Sequence, residues 1–152
     1  MIDTVRRAGG KVVYAHPYWT AHTINELLEV TGYVGIEVYN TICDLGNAKG
    51  FSQIHADQLF NRGVLVGLTS VDDVHKSAGV GYGWTMIRAK GLTKSEIMEA
   101  IGAGSFYASC GPVIEMCRIE KETVAMTCSP VAEIRFLFNG CDPFCAGSKA
   151  RS

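Results

Sequence analysis

The 152 residues suffice for one domain with a core of its own, and 14 lysines and arginines against 15 aspartates and glutamates leave no charge excess to attract nucleic acid or an anionic membrane. Nearly half of the residues are apolar (47%), yet no apolar run approaches the roughly 20 residues of a membrane span, and residues 1–7 lack the apolar core and cleavage site of a secretory signal. A globular protein of the cytosol is expected.

Residues 2–8 read as the end of a helix stopped by Gly9-Gly10, and Lys11–Ala15 as a β-branched and aromatic strand ending at His16-Pro17-Tyr18-Trp19. Thr23–Val30 is an amphipathic helix with Thr23 as cap and Glu26 at the capping-box position. Val34–Asn40 is a second strand, 47–61 a helix closed by Arg62-Gly63, and Val64–Leu68 a third, buried strand that runs into Thr69-Ser70-Val71-Asp72-Asp73-Val74-His75. Strand, helix, strand, helix, strand, with long connections, predicts an α/β fold with parallel strands.

After His75, Lys76–Gly83 is a glycine-rich loop. It lacks the lysine and threonine of a nucleotide-binding loop, so a flap or tight turn near a site is expected. Trp84–Ala89 reads as a strand, Thr93–Gly102 as a helix capped by Thr93 with Glu96, and Phe106–Ser109 as a further extended piece. From Pro112 onward, runs at 113–120, 123–128 and 132–138, divided by turn residues including Asn139-Gly140, suggest an antiparallel meander. Residues 146–152 are small and polar, as in a frayed tail. The six cysteines are scattered through an apolar chain and are expected as free buried thiols, and Cys141 with Cys145 has no partner pair for a zinc knuckle.

Polar groups follow each of the three predicted parallel strands: His16 after the first, Glu37 with Asn40 on the second, and Asp73 with His75 after the third. The carboxyl ends of parallel strands share one rim, so these groups can converge despite their separation in sequence. Asp73 and His75 are two apart and point the same way on extended backbone. Imidazole nitrogen and carboxylate oxygen suit zinc, manganese or iron, and a metal held there would activate water and polarise an ester or phosphoryl oxygen. Blander roles compete at each position. His16 could be bonded to backbone, Glu37 could face solvent, Asn40 could serve a turn or orient a ligand, and Asp72 could shape the loop beside Asp73. His22 and His55 are expected on helix surfaces or in helix packing. Tyr18 and Trp19 flank His16 and could wall a substrate pocket. No serine sits in a nucleophile elbow, and Cys110, before Gly111-Pro112, is read as structural.

Four segments in order, Gly9-Gly10-Lys11-Val12-Val13-Tyr14-Ala15-His16-Pro17, Gly35-Ile36-Glu37-Val38-Tyr39-Asn40, Ser70-Val71-Asp72-Asp73-Val74-His75 and Gly104-Ser105-Phe106-Tyr107-Ala108-Ser109-Cys110-Gly111-Pro112, resemble the carboxyl-terminal portion of PHP-domain proteins, the metal hydrolases of the polymerase and histidinol phosphatase type. The resemblance runs from Gly9 to about Asn139. It implies a distorted (β/α) barrel with divalent metals (Mn, Zn or Fe) at its carboxyl rim, acting on small-molecule phosphoesters. His16 resembles the histidine ligand of the Ala-His-Pro motif, Asp73 and His75 the Asp-x-His pair closing the metal site, and Glu37, Asn40 and Asp72 supporting positions. Residues 1–111 then correspond to the carboxyl-terminal half of the barrel, 112–140 to an antiparallel β extension and 141–152 to a flexible tail. The family's amino-terminal His-x-His half has no counterpart here, which implies a fragment or truncated member, with self-association through unpaired sheet edges. The alternatives are an inactive remnant or oligomerising α/β module, and a hydrolase of carboxylic or carbamate esters on the same metals.

Overall fold

A computed structural model describes residues 1–121 and 123–136. The chain divides into two compact units, Met1–Cys110 and a second that begins at Gly111. The first is a mixed α/β unit whose centre is a three-stranded parallel sheet in the order β1-β2-β3, formed by Val13–Tyr14, Gly35–Asn40 and Gly67–Val71. Parallel neighbours require crossovers. Helix α2 (Ile24–Glu29) connects β1 to β2, and α3 (Thr41–Asn47) and α4 (Gln53–Phe60) connect β2 to β3, while α1 (Ile2–Arg7) precedes β1. No closed barrel forms among the described residues.

The core lies where α2 and α4 cover β2. Leu27, Ile36 and Leu59 have no exposed surface, and Val38 and Ala56 complete the cluster. At ~25 cal/mol per Å2, burying a leucine or isoleucine is worth about 1.5–3 kcal/mol, so these three side chains hold helices and sheet together. Beside β3, β4 (Trp84–Ile87) and β5 (Phe106–Ser109) pair antiparallel on either side of α5 (Lys94–Gly102). They join β3 partly through the Thr85 hydroxyl, which donates to the Ser70 carbonyl at 2.9 Å and accepts the Ser70 N–H at 3.2 Å. The Phe106 ring lies on Gly67, where a Cβ would overlap it.

Several expected boundaries move. The first strand is two residues long. The third begins at Gly67 because Val64-Leu65-Val66 forms the approach to the sheet, with Leu65 83% exposed. The helix expected over 47–61 is two helices. Ala48, at φ 58°, ends α3, and the following segment returns to bridge Phe51 to Tyr39 before α4 starts. Both predicted capping boxes form, at Thr23/Glu26 and Thr93/Glu96. His55 is buried in α4, not at a helix surface, with Nε2 2.9 Å from the His22 carbonyl oxygen, and His22 lies in the turn before α2.

The Glu26 carboxylate accepts from the Thr23 N–H at 2.6 Å and from its hydroxyl at 2.9 Å. These bonds, the backbone one foremost, hold its pKa below the usual glutamate value. A lowered carboxyl pKa stabilises the fold above the unfolded value of about 4.3, and the benefit is lost as pH falls through the folded value. In an NMR titration the Glu26 carboxyl should therefore ionise below the ordinary glutamate range, and Thr23→Ala, which removes the hydroxyl bond and keeps the backbone one, should bring its midpoint up part of the way.

In the second unit, β6 (Ile114–Glu120) and β7 (Thr123–Cys128) form an antiparallel hairpin with a register shift between Ile114 and Met116. Residues 132–136, expected to begin a third strand, are not in a strand. The remainder of that segment, the Asn139-Gly140 turn, Cys141, Cys145 and the tail lie outside the described residues. The described cysteines are free thiols, but only Cys43 is buried. Cys110 and Cys117 are exposed and Cys128 is intermediate, because Cys117 and Cys128 sit on a hairpin with little covering it within its own unit.

No helix among the described residues is long and apolar enough to cross a membrane.

Candidate functional site

The parallel strands end on a common rim, and the chain leaves each through a polar residue. From β1 it passes into His16, whose φ of 26° is unusual for a residue with a side chain, and then into the buried Pro17. From β3 it passes into Asp72 and then Asp73, at φ 52°. The left-handed region costs a side-chain-bearing residue about 1–2 kcal/mol, less for Asp. Two of the predicted ligands therefore sit on strained backbone, a pattern concentrated at functional sites.

On β2, strict alternation would send Glu37 and Asn40 to opposite faces of the sheet. A bulge resets it: Glu37 pairs with Thr69 and Tyr39 with Ser70, leaving Val38 as the extra residue. Glu37 and Asn40 then meet. Glu37 Oε2 accepts the His16 N–H at 2.9 Å and a proton of Asn40 Nδ2 at 3.1 Å, and the same amide donates to Asp73 Oδ2 at 3.2 Å. Asn40 Oδ1 accepts the Cys43 N–H at 3.1 Å and so caps α3. This assignment of the amide is forced, since carboxylates need donors and an N–H needs an acceptor. Asn40 has no exposed surface. One buried side chain thus links groups that follow or belong to all three strands. Close by, burial first, then the charges of Asp73 and Glu37, push the Cys43 thiol pKa up, keeping it protonated.

Asp72 is engaged elsewhere. Its carboxylate accepts the Thr41 hydroxyl at 2.9 Å and the consecutive N–H groups of Gly81, Tyr82 and Gly83 at 2.6, 3.0 and 2.8 Å. Desolvation pushes its pKa up, but the Gly81, Gly83, Thr41 and Tyr82 hydrogen bonds outweigh it and hold the group below the ordinary aspartate range. The glycine-rich loop is a tight turn closed onto Asp72. Gly83 is needed where it stands, because a Cβ would press on Ser70 Oγ and the Tyr39 ring at 2.6 Å each. In Asp72→Ala these three amides lose their acceptor, and a hydrogen bond to a charged group is worth about 1.5–3 kcal/mol. Their hydrogen exchange should accelerate by about tenfold or more while amides of α4 are unchanged.

His75 is exposed, and its Nδ1 lies 2.7 Å from the Asp73 carbonyl oxygen. Donation from Nδ1 leaves the lone pair on Nε2, as in a histidine prepared to ligate a metal. His16 Nδ1 is buried without a hydrogen-bond partner. Its ring packs edge-on against Trp19, with centroids 5.1 Å apart. Two imidazoles with an available nitrogen and a carboxylate with one oxygen bonded to an amide form a donor set chemically suited to zinc, manganese or iron. They are not gathered into one: among the described residues no three His, Cys, Asp or Glu side chains form a group that could hold a metal. His16, Glu37, Asn40 and Asp73 are connected, whereas Asp72 and His75 turn into their own loop.

Sequence reasoning missed Thr41, Cys43 and the Gly81–Gly83 amides. A signal existed for Thr41: an asparagine closing a strand before a polar residue is a helix cap, and the residue behind it is brought to the rim. Comparison with family models, curated proteins and solved structures finds no match.

Proposed function

We propose that this chain carries part of the site of a PHP-type metal-dependent phosphoester hydrolase, its parallel strands being consecutive staves of a distorted PHP-type barrel. The observation carrying this reading is the hydrogen-bonded string from His16 through Glu37 and Asn40 to Asp73 across three strand ends. His16, Asp73 and His75, which this structure does not gather into one group, are the residues that would have to come together to hold divalent manganese, zinc or iron, an ion that when bound lowers the pKa of water and polarises the phosphoryl oxygen. Glu37 fixes the His16 backbone, Asn40 holds Asp73 Oδ2 and leaves its other oxygen to a ligand, and Asp72 anchors the loop that bears His75. The same groups would serve a carboxylic or carbamate ester, since such chemistry does not itself select phosphorus over carbon.

The position of His75 in its own loop favours a second reading, a non-catalytic α/β module that self-associates through its sheet edges. Elemental analysis of the purified chain separates the two. The hydrolase reading expects at most one tightly held divalent ion per chain, lost in His16→Ala and Asp73→Ala, with manganese-dependent hydrolysis of p-nitrophenyl phosphate. No retained metal, together with silence across phosphate and carboxylic esters, would leave the module.

A further inference from the structure

We infer that the end of the sheet opposite the rim carries a site for a small phosphate monoester, its phosphate held between Arg6 and Lys11; the inference does not depend on the hydrolase reading. A cavity of about 360 Å3 joins Arg6, Gly10, Lys11, Gly32, Tyr33 and Val34, within the size range of small-molecule sites. Gly10 and Lys11 lead into β1 and Val34 immediately precedes β2, so the cavity lies at the amino ends of strands whose carboxyl ends bear the polar string. Its walls are set before any ligand arrives. The Gly9 and Gly10 N–H groups donate to the Arg6 and Val5 carbonyls, each at 2.9 Å, and the Val34 N–H donates to the Val12 carbonyl at 2.8 Å. The Tyr33 hydroxyl donates to the Leu27 carbonyl at 3.3 Å, and its ring stands edge-on to Tyr14 with centroids 5.5 Å apart. Gly32, at φ 88°, leaves room for Arg6: a Cβ there would lie 2.9 Å from Nη1 and 3.2 Å from Cζ. A site formed in advance loses little entropy on binding.

The lining selects the charge of its occupant. Arg6 and Lys11 are cations, and no lining residue is acidic. Asp3 reaches Arg6 Nη1 at 3.5 Å, but both side chains are largely exposed; such a pair contributes little and leaves most guanidinium N–H donors unused. Lys11 makes no ion pair among the described residues, and its Nζ rests near Gly102 at the end of α5 without a hydrogen bond there. The N–H groups of Lys11, Gly32 and Tyr33 have no acceptor among the described residues, whereas the Arg6 and Val34 carbonyls are taken by the Gly9 and Gly67 N–H groups. Donors in excess call for an acceptor-rich anion. A phosphate monoester brings several acceptor oxygens and about two negative charges at pH 7, matching the two cations. A bare ion would leave much of the cavity empty, and the organic part of the ester would lie against Tyr33 and Val34.

The test is an NMR titration in metal-free buffer at about 0.15 M salt, where loose surface attraction is screened. Glycerol 3-phosphate should shift the amide resonances of Gly10, Gly32 and Tyr33 saturably and leave those of Asp73 and His75 in place. Glycerol should shift none of them. Glycerate, which carries a carboxylate in place of the phosphate, and inorganic phosphate, which lacks the organic part, should each bind at least about fivefold more weakly. Lys11→Gln and Arg6→Gln should each weaken glycerol 3-phosphate about tenfold, the loss of one charge-assisted contact. Lys94→Gln, at an exposed lysine at the start of α5, should leave the affinity unchanged. If Arg6→Gln loosens α1, seen in the amide resonances of residues 2–7, Lys11→Gln decides alone. No saturable response, or one confined to Asp73 and His75, overturns the site. So does an equal loss in Lys94→Gln, which would mean diffuse attraction to surface cations. Equal affinity for glycerate or for inorganic phosphate overturns the phosphate monoester as its ligand.

Discussion

Replacing Asn40 with leucine is expected to destabilise the first unit by about 3 kcal/mol and lower its melting temperature by roughly 10 °C. Asn40 is fully buried, and its amide serves Glu37, Asp73 and the Cys43 N–H at once. Leucine has nearly the same volume, so the loss comes from polar groups left unpaired, each costing about 1–3 kcal/mol where burial is complete. Asn40→Asp makes a sharper comparison. It keeps the oxygen that caps α3 but removes the donors and brings a third negative charge beside Glu37 and Asp73. Like charges raise a carboxyl pKa. A carboxyl whose folded pKa is raised destabilises above that value, and the penalty fades as pH falls through it. Urea unfolding at pH 7 and pH 5 should therefore show the aspartate variant recovering part of its deficit at the lower pH, while the leucine variant does not.

Leu59→Ala should cost about 3–4 kcal/mol, at the middle of the range for a fully buried leucine, because the cavity lies between Leu27 of α2 and Ile36 of β2 and neither backbone can follow. Urea unfolding should show the midpoint falling with an unchanged slope. The Asp73 and His75 resonances of the folded variant should stay in place, since the core lies behind the sheet ends rather than among the rim residues. Leu65→Ala, at a residue 83% exposed, should fall within about 0.5 kcal/mol of the parent.

These two leucines mark how far the sequence could be read. Leu59 falls on a helical period with Phe60 and His55, and periodicity places it inside. Leu65 stands in an unbroken apolar run that reads as a buried strand, but the sheet begins at Gly67, where the Phe106 ring requires a residue without a Cβ. That requirement comes from a residue distant in sequence and leaves no local trace. The alternation of strands and helices and both capping boxes were legible for the opposite reason, being local. The division of 47–61 was not, because Phe51 is drawn to Tyr39 across the sheet edge. At the rim, topology brought the three strand ends together, but the meeting of Glu37 with Asn40 needed the bulge at Val38, which the spacing of the two residues does not announce. The turning of Asp72 and His75 into their loop depends on backbone groups, three N–H groups for Asp72 and the Asp73 carbonyl for His75, which nearly every residue offers and which spacing cannot reveal.

The bulge at Val38 makes β2 sensitive to counting. Val38 is the one residue that β2 holds beyond its partner, so deleting it would leave Glu37 opposite Thr69 and Tyr39 opposite Ser70 and keep Glu37 and Asn40 on one side of the sheet. Deleting two neighbouring residues would remove the extra residue together with one that the pairing needs, and everything beyond would look to the wrong face. A library of one- and two-residue deletions across 36–39, scored for folded yield, should therefore show loss of the single extra residue surviving better than loss of a neighbouring pair.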